Sequence, residues 1–254
     1  MLAHYQHGDE RARLSRTGHG RLELVRMREL FARLLPPAPA RVLDIGGATG
    51  VHAEWLAAAG YDVHLIDPLP EHVRAARACG TFTAAEGDAR RLDQPDASAN
   101  AVLMLGPLYH LTSSDDRLTA LREAHRVLRS DGVLLAAAIG RYMALLDWAA
   151  TGGLTVAVAA KLEPVIATGR HDPSLGFTTA HFHMPDELLA EVASAGFADV
   201  RVLGIEGPLW PAVDVAGPDR ADVMDSALRC AHMVEADPAL LAASGHLLAV
   251  GRRR

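Results

Sequence analysis

Short apolar runs alternate with amphipathic stretches through the first half of the chain. The runs consist mainly of Val, Leu, Ile and Ala, and they occupy residues 41–45, 62–66, 81–85, 100–105 and 133–139. Between them, apolar residues recur every three or four positions at residues 51–59, 70–78 and 115–129. That spacing predicts helices, and unbroken apolar strands are typical of a parallel sheet that is buried on both faces. The alternation therefore predicts an α/β fold.

The flanking regions follow other patterns. Residues 9–35 predict one or two amphipathic helices, interrupted near Gly18 and Gly20 and ended by the proline-rich residues 36–40. Residues 141–180 are rich in alanine, which predicts helix at first and then loop. The last predicted elements are helix, strand, helix and strand, at residues 185–195, 199–206, 218–236 and 246–251.

Composition excludes several classes of protein. The chain has 254 residues, half of them hydrophobic, which suits one large domain with a sizeable core. Its formal net charge of −6 argues against a broad nucleic-acid-binding surface. Cys79 and Cys230 are far apart in sequence and predict neither a disulfide framework nor a cysteine-based zinc site. Because the chain shows neither a membrane-spanning apolar run nor a signal peptide, we expect a cytoplasmic protein without a membrane partner.

The stretch RVLDIGGATG at residues 41–50 places a buried strand directly before a cluster of glycines. Glycine allows unusual backbone angles and lets a ligand approach the main chain where a Cβ atom would collide. A helix is predicted to begin near Val51, so its free N–H groups would face the same crevice. The glycine spacing differs from the G-x-G-x-x-G of dinucleotide-binding turns, and no P-loop lysine follows. The stretch predicts either a ligand-binding turn or a tight strand-to-helix connection.

Polar side chains also follow the next three predicted strands. Asp67 ends the second strand about 20 residues after the turn, where an acid can accept hydrogen bonds from both hydroxyls of a ribose. After the third strand, Asp88 and the backbone of Ala89 are placed to read the amino group and ring edge of a base. Tyr109 and His110 follow the fourth strand. Ligands of open α/β sheets bind beyond the carboxyl ends of the strands, so these residues predict a ligand crevice.

These motifs resemble those of the class I S-adenosylmethionine-dependent methyltransferases, in particular the branch that acts on small molecules. VLDIGGATG resembles the first motif of that family, IDP its acidic second-strand end, and GDAR its adenine loop. LGPLYHLTSSDDRLTALREAHRVLRSDGVLL is similar to the region of its fourth and fifth strands, and HMPDELLAEVASAGF to the helix before its sixth strand. The resemblance, strongest over residues 40–140, implies a Rossmann-like, doubly wound sheet of seven mostly parallel strands with the last strand antiparallel.

The same resemblance implies S-adenosylmethionine as the cofactor, with S-adenosylhomocysteine as the product. It places the first-motif residues along the methionine moiety, the second-strand acid on the ribose, and the GDAR loop on the adenine. The implied cofactor-binding residues of this region are Asp44, Gly46, Gly47, Ala48, Gly50, Asp67, Pro68, Asp88, Ala89, Leu105 and Gly106. Ala48 stands where the family has the middle glycine of its first motif.

Two further regions are expected to cover the crevice. Residues 1–39 are predicted to form an N-terminal helical lid on the α/β domain of residues 40–254, and Tyr5 and Arg13 are its candidate cofactor or substrate contacts. An amphipathic helix that packs on the sheet would explain the same pattern. Residues 140–184 are predicted to be a helical and loop insertion after the fifth strand that covers the substrate.

The catalytic candidates follow from the chemistry of methyl transfer. The acceptor must lie in line behind the methyl carbon, so positioning supplies much of the acceleration. A general base is needed only where the acceptor loses a proton. His110 is the candidate base, and Tyr109 is the candidate for orienting the acceptor. A Tyr-His pair after this strand also fits a structural role.

A second polar cluster lies within the predicted cover. Its members are Arg170, His171, Asp172, Phe177, His181 and His183. In an extended segment His181 and His183 would share one face. With an acid they are candidate metal ligands, but the set lacks a ligand frame, so no metal is predicted. An acceptor-facing loop fits better, with His181 as a third catalytic candidate and Arg170 as a contact for an acidic acceptor.

The favoured function is in-line transfer of the methyl group of S-adenosylmethionine to a small-molecule acceptor, without a nucleic-acid partner. The first alternative is another reaction at the same sulfonium, such as cyclisation or displacement of the aminocarboxypropyl arm. A nicotinamide-dependent oxidoreductase is a second alternative, which the glycine spacing disfavours. A third is a non-catalytic protein that senses the cofactor. The sequence leaves the acceptor, its nucleophilic atom and the oligomeric state open.

Overall fold

The structure is a computed structural model, and it describes residues 16–217 and 219–254. Tyr5 and Arg13 lie outside the described residues, so their contacts stay predictions. The helices are α1 (Gly18–Leu34), α2 (Val51–Ala58), α3 (Pro70–Ala78), α4 (Pro107–His110), α5 (Ser114–Val127), α6 (Met143–Ala150), α7 (Val156–Thr168), α8 (Pro185–Ser194), α9 (Trp210–Ala216) and α10 (Ala221–Val234). The strands are β1 (Arg41–Ile45), β2 (Asp62–Asp67), β3 (Thr83–Glu86), β4 (Ala99–Met104), β5 (Leu128–Ile139), β6 (Arg170–His171), β7 (Ala180–His181), β8 (Ala198–Gly204) and β9 (His246–Arg252).

Seven of these strands form one sheet in the order β3-β2-β1-β4-β5-β9-β8. Strand β1 pairs in parallel with β2 and β4, while β3 and β5 extend the parallel arrangement on either side. Strand β9 runs antiparallel to β5, because Gly140 N donates to Gly245 O at one end and Asp131 N donates to Arg253 O at the other. The predicted Rossmann-like sheet with an antiparallel last strand is confirmed.

One compact unit consists of Leu34–Ala137, Leu189–Arg201 and Ala249–Arg254. The central strands are the core of this unit, and residues such as Leu43 and Leu103 have no exposed surface. The loops at the carboxyl ends of β1 to β4 belong to it as well. All the described residues of the predicted cofactor site therefore lie in this unit.

The other unit contains the described residues up to Arg33, together with Ala138–Leu188 and Val202–Leu248. It includes α1 and the helices α6, α7, α9 and α10. The predicted division into a lid at residues 1–39 and a substrate cover at residues 140–184 stays a prediction.

A buried arginine anchors α1 within this second unit. Arg26 has no exposed surface, and its Nε donates to Ile205 O at 2.9 Å. Its guanidinium also forms ion pairs with Glu29 at 2.6 Å and with Glu235 at 2.5 Å. A buried charge is stable only with such partners, so these contacts fix the position of the helix.

The predicted helix interruption lies at Thr17, a bend between the helical residue Arg16 and the start of helix α1 at Gly18. Helix α1 begins at Gly18 and continues through Gly20, because Thr17 Oγ1 accepts a hydrogen bond from Gly20 N at 2.9 Å and caps the helix. A Cβ atom on Gly18 would lie 2.6 Å from Val213 O. Gly18 therefore serves close packing against α9 rather than helix termination.

The turn predicted for Ser-Asp-Gly before the fifth strand lies inside that strand. Strand β5 begins at Leu128, directly after α5, and its pairing with β4 jumps from Leu128–Ala99 to Val133–Ala101. The intervening residues form a bulge, in which Asp131 has a left-handed φ of 62°. The turn chemistry is present, but it bends a continuous strand instead of separating a helix from a strand.

The region after β8 contains a helix that the sequence pattern did not predict. Helix α9 is only 7 residues long, which is too short for a clear periodic pattern. Trp210 and Val213 are buried side chains of this helix, and Trp210 Nε1 donates to Ala243 O at 3.2 Å.

None of the described helices is long and apolar enough to cross a membrane.

Candidate cofactor and active site

The glycine turn connects β1 to α2 through left-handed backbone. The φ angles of Gly46, Ala48 and Gly50 are 72°, 49° and 87°. Gly46 N donates to Ile66 O at 2.7 Å, which fixes the start of the turn against β2. A residue with a Cβ atom adopts left-handed backbone only at a cost in free energy, so other contacts must stabilise this conformation of Ala48. Its N–H donates to Asp67 Oδ2 at 3.0 Å, and this bond holds the turn in shape.

Packing explains why two positions of the turn require glycine. A Cβ atom on Gly46 would lie 2.8 Å from Pro107 Cδ, at the start of α4. A Cβ atom on Gly50 would collide with the ring of Phe82. Glycine at these positions therefore serves tight packing against protein neighbours as well as the approach of a ligand to the main chain.

Asp67 joins the turn to the end of β2. The residue is 4 % exposed, and its Oδ1 accepts a hydrogen bond from Leu69 N at 3.0 Å. His72 Nδ1, from the first turn of α3, lies 3.1 Å from the same oxygen. Ala48 N occupies Oδ2. These contacts hold the carboxylate at the carboxyl end of the strand, where the ribose contact was predicted.

Asp44 is a buried acid beneath the turn. The residue is 1 % exposed, and neither carboxyl oxygen has a hydrogen-bond partner among the described residues. A Cβ atom on Gly47 would lie 2.5 Å from Asp44 Oδ2, so the turn folds directly over this group. Burial, and then the negative charge of Asp67, raise the pKa of Asp44 to about 7. An unpartnered buried acid fits a ligand that brings a donor or a positive charge, such as the ammonium group of a methionine moiety.

Three residues at this site were missed by the sequence reasoning. Thr49 Oγ1 is buried within the turn and has no partner in the described part of the chain. Its place inside GGATG was a usable signal. His72 and Phe82 reach the turn from α3 and from the loop before β3. Their contacts arise from the packing of separate elements, so no local sequence pattern predicts them.

Asp88 and Ala89 follow β3 as predicted, but the Asp88 carboxylate is engaged. Arg90 Nη2 donates to Asp88 Oδ2 at 2.6 Å, and hydrogen bonds from Arg90 lower the pKa of Asp88. Arg90 also contacts Asp116, at the start of α5, at 3.1 Å. Both partners of the Arg90–Asp88 pair are exposed. Adenine recognition by the Asp88 side chain therefore requires this pair to rearrange.

The predicted catalytic pair lies on the short helix α4. Leu105 and Gly106 precede the helix and are half-buried. The rings of Tyr109 and His110 are 4.5 Å apart between centroids, with planes inclined by 58°, and both residues are half-buried. The contact of Pro107 with Gly46 connects α4 to the glycine turn. The structure thus brings the pair and the turn into one region of the same unit.

His181 belongs to a buried polar cluster in the other unit. Its Nε2 lies 2.6 Å from Glu187 Oε1, and Arg141 Nη2 donates to Glu187 Oε2 at 2.6 Å. Burial raises the pKa of Glu187, but the hydrogen bond and charge of His181 outweigh it, and the pKa falls to about 2. The rings of His181 and His183 are 4.6 Å apart, which agrees with their predicted shared face. These contacts favour a structural role for His181, and its catalytic role stays a prediction.

The other members of the polar cluster that the sequence predicted at residues 170–183 have separate surroundings. His171 is buried against the ring of Phe182, and desolvation lowers the pKa of His171. Asp172 Oδ1 accepts a hydrogen bond from Ser174 N at 2.8 Å and caps a short turn of 3₁₀ helix. Arg170 is exposed. The acid proposed beside the two histidines is therefore used as a cap.

The sheet order, the glycine turn and the acids at the ends of β1 and β2 define a class I S-adenosylmethionine-dependent methyltransferase fold. A family profile for a methyltransferase domain matches residues 42–132. Together with the relatives described next, this match supports the predicted resemblance to the class I S-adenosylmethionine-dependent methyltransferases.

Relatives and solved structures agree with that placement. An uncharacterized methyltransferase of Mycobacterium tuberculosis is 39 % identical over 102 residues, which are 40 % of each chain. The present chain thus spans less than half the length of that relative. A ubiquinone biosynthesis O-methyltransferase of Xanthomonas axonopodis is 29 % identical over 195 residues, 74 % of this chain and 75 % of the relative.

A similar fold is found in a crystal structure from Thermotoga maritima. That protein is described as an S-adenosylmethionine-dependent methyltransferase, possible histamine N-methyltransferase. It aligns with a TM-score of 0.61 and 18 % identity, over 100 % of this chain and 96 % of that chain. At this identity the likeness shows the fold alone.

Proposed function

We propose that this protein transfers the methyl group of S-adenosylmethionine to a small-molecule acceptor. The observation that carries the proposal is the arrangement of two buried acids around the glycine turn. Asp67 is fixed by the backbone N–H groups of Ala48 in the turn and of Leu69 after β2, and Asp44 lies beneath the turn without a partner among the described residues. A turn that leaves one buried acid unsatisfied fits a ligand that carries both sugar hydroxyls and an ammonium group.

Each residue of the site has a proposed task in binding. Asp67 accepts hydrogen bonds from the ribose hydroxyls, and Asp44 compensates the charge of the ammonium group. The backbone of Ala89 meets the adenine edge, while the backbone near Leu105 and Gly106 faces the methionine end. The bound cofactor supplies a methyl group on a sulfonium centre. The tasks of the protein are then to exclude water, to orient the acceptor and, where the acceptor loses a proton, to accept that proton.

Tyr109 and His110 are the proposed acceptor-side residues. They lie on α4, which contacts the glycine turn through Pro107. For a hydroxyl acceptor, His110 would take the proton that the acceptor loses, and Tyr109 would orient the acceptor oxygen. Hydroxylated aromatic molecules are the first acceptors to test, since the Xanthomonas relative is named as an O-methyltransferase.

Calorimetry with S-adenosylhomocysteine tests the binding site. Asp67→Ala should weaken binding by about 10- to 100-fold, because hydrogen bonds to a charged acceptor contribute roughly 1.5–3 kcal/mol. Asp222→Ala is the matched control, since this exposed aspartate at the start of α10 forms an ion pair with Arg220. Gly46→Val should also weaken binding, because its side chain would displace Pro107. Unchanged affinity in both site variants would refute the proposed cofactor position.

Product analysis tests the reaction. Methyl transfer yields S-adenosylhomocysteine, whereas displacement of the aminocarboxypropyl arm yields methylthioadenosine. We expect His110→Ala to reduce turnover while S-adenosylhomocysteine affinity changes only a few-fold, and Tyr109→Phe to have a smaller effect. An equal loss of affinity and turnover in His110→Ala would show that His110 is structural. Methylthioadenosine as the product would replace methyl transfer with the alternative reaction.

A further inference from the structure

A second group of chemically active side chains gathers far from the glycine turn in sequence. It consists of His19, Glu23, Glu206 and His246, which we call the His-Glu cluster. His19 and Glu23 lie one helical turn apart on α1. Glu206 follows β8, and His246 is the first residue of β9. All four residues belong to the second compact unit.

The His-Glu cluster is buried and compact. Its members are exposed by only 8 %, 9 %, 0 % and 8 % in sequence order. One ligand-type atom from each residue lies within 4.8 Å of the corresponding atoms of the other three. Burying two imidazoles and two carboxylates together is costly unless the negative charge is compensated.

Two imidazoles converge on a single oxygen atom in this cluster. His246 Nδ1 lies 2.6 Å from Glu206 Oε1, and His19 Nε2 lies 3.1 Å from the same atom. The two rings are stacked, with centroids 5.5 Å apart. The nitrogen atoms of both histidines and a carboxylate oxygen therefore already point toward one small volume.

We propose that the His-Glu cluster is a binding site for one zinc ion, coordinated by His19, Glu23, Glu206 and His246. Two imidazole nitrogens and two carboxylate oxygens are a donor set that zinc accepts. The two carboxylates balance the double positive charge of the ion, so the site is neutral once the imidazoles coordinate in their neutral form. The proposal is independent of methyl transfer.

The distances require only a small adjustment. Zinc bonds of about 2.0–2.1 Å in a tetrahedron keep the ligand atoms about 3.3–3.4 Å apart. The shortest contacts at Glu206 Oε1 are below that value, while the widest separation in the cluster is up to 4.8 Å. Zinc would replace the protons now shared between Glu206 and the imidazoles, and coordination would move these atoms apart by less than an ångström. It would also draw the most widely separated ligand atoms together by up to about 1.5 Å.

Further contacts hold the ligand residues in orientation. Glu206 Oε2 accepts hydrogen bonds from Ser244 Oγ at 3.1 Å and from His246 N at 2.8 Å, which leaves Oε1 directed at the histidines. His19 packs against Trp210 with ring centroids 4.7 Å apart. Such outer contacts are typical of metal sites, where they fix the direction of each ligand.

Complete burial of the four ligands determines whether the proposed zinc site would be structural or catalytic. Four protein ligands leave no open position for water or substrate, and a closed site of this kind is structural rather than catalytic. The ligands come from α1, from the segment after β8 and from β9. The ion would therefore join three distant segments of one unit and stabilise the folded chain.

Metal analysis of the full-length protein tests the proposal directly. After purification without chelators, we expect one zinc per chain by elemental mass spectrometry. After chelation and dialysis, titration with zinc against a chromophoric competitor should restore one equivalent. Replacement by cobalt should give the strong visible bands of a tetrahedral site. Since these measurements use the natural chain, they do not depend on whether a variant folds.

Single-residue variants identify the ligands. His19→Ala and Glu23→Gln should each weaken zinc binding by more than about 100-fold, since loss of an outer contact alone costs 10- to 100-fold. His232→Ala is the matched control, because this exposed histidine of the same unit pairs with Glu29 outside the cluster. It should bind zinc like the natural chain. Added zinc should raise the melting temperature of the natural chain and not that of His19→Ala.

The outcomes separate the proposal from a metal-free hydrogen-bond network. The zinc-site proposal would be overturned if the natural chain neither contains nor takes up zinc and its melting temperature does not change when zinc is added. Zinc that remains bound equally in His19→Ala and Glu23→Gln would also overturn it, because the ion would then lie elsewhere. Zinc binding by the natural chain, together with an S-adenosylhomocysteine affinity that stays unchanged in zinc-deficient His19→Ala, would support a structural site separate from the cofactor site.

Discussion

Asp44 and Glu206 are both buried carboxyl groups, yet their surroundings differ in almost every respect. Asp44 has no hydrogen-bond partner in the described chain, and its pKa is raised to about 7 by burial and by Asp67. Burial also raises the pKa of Glu206, but the charge of His246 and the hydrogen bond of His19 outweigh it and hold that pKa well below its usual range.

The difference separates two uses of a buried acid. Glu206 receives donors from its own chain and is stable as an anion, so it contributes to the folded state. Asp44 lacks donors among the described residues, so its anion is costly until a ligand supplies them. At the cofactor site, the buried charge of Asp44 therefore costs free energy that a bound ligand can offset. In the His-Glu cluster, the charge of Glu206 is compensated by neighbouring side chains or by a small ion.

The largest expected effect is on stability at Glu206. Glu206→Ala removes the acceptor for both imidazoles, for His246 N and for Ser244 Oγ, all of them buried. We expect a loss of about 3–5 kcal/mol in the free energy of unfolding. Chemical denaturation of metal-free protein measures it. A loss below about 1 kcal/mol would show that Glu206 is not the stabilised acid of the comparison.

A pH-dependent effect is expected at Asp44. Between its ordinary pKa of 3.8 and about 7, the folded chain holds a proton that the unfolded chain has released, so the raised pKa lowers stability as pH rises. Asp44→Asn removes this penalty. Relative to the natural chain, the variant should gain roughly 2–3 kcal/mol of stability between pH 5 and pH 8, at about 1.4 kcal/mol per pH unit. The same stability difference at both pH values would contradict the raised pKa.

A smaller effect is expected at His72, which contacts Asp67 from α3. His72→Ala leaves Leu69 N and Ala48 N in place, so the carboxylate loses one of its contacts and some of its orientation. S-adenosylhomocysteine affinity should fall about 3- to 10-fold, in line with roughly 1 kcal/mol for one hydrogen bond. A loss as large as that of Asp67→Ala would mean that His72 contacts the cofactor itself.

The smallest effect is expected at Ala48. Its φ of 49° strains a residue with a Cβ atom, so Ala48→Gly should relieve strain while it adds flexibility to the unfolded chain. The net change should be a gain of less than about 1 kcal/mol. Ala75→Gly, at an exposed position of α3, is the control and should lose about 1 kcal/mol. Equal losses in both variants would show that the turn does not strain Ala48.

Local sequence determined much of the fold. The apolar runs that became β1, β2 and β4 are long enough, and bounded clearly enough by glycine and polar residues, to be recognised in isolation. The first-motif glycines and Asp67 are likewise set by short spacing, since a turn and the next strand end lie within one βαβ unit. The bulge at Asp131 and the short α9 were not predictable in this way, because each depends on a partner from elsewhere in the chain.

Sequence by itself determined the class of fold, the order of its elements and the place of the cofactor turn. Tertiary structure alone decided the state of the charges. Asp44 and Glu206 are both acids that follow or end a strand, and no neighbour in sequence distinguishes them. Only folding brings His19, which is 187 positions away in the chain, and His246, which is 40 positions away, to Glu206. Folding likewise leaves Asp44 beneath the turn without a donor among the described residues. Electrostatic free energy depends on distance and burial in space, and the linear sequence encodes neither directly.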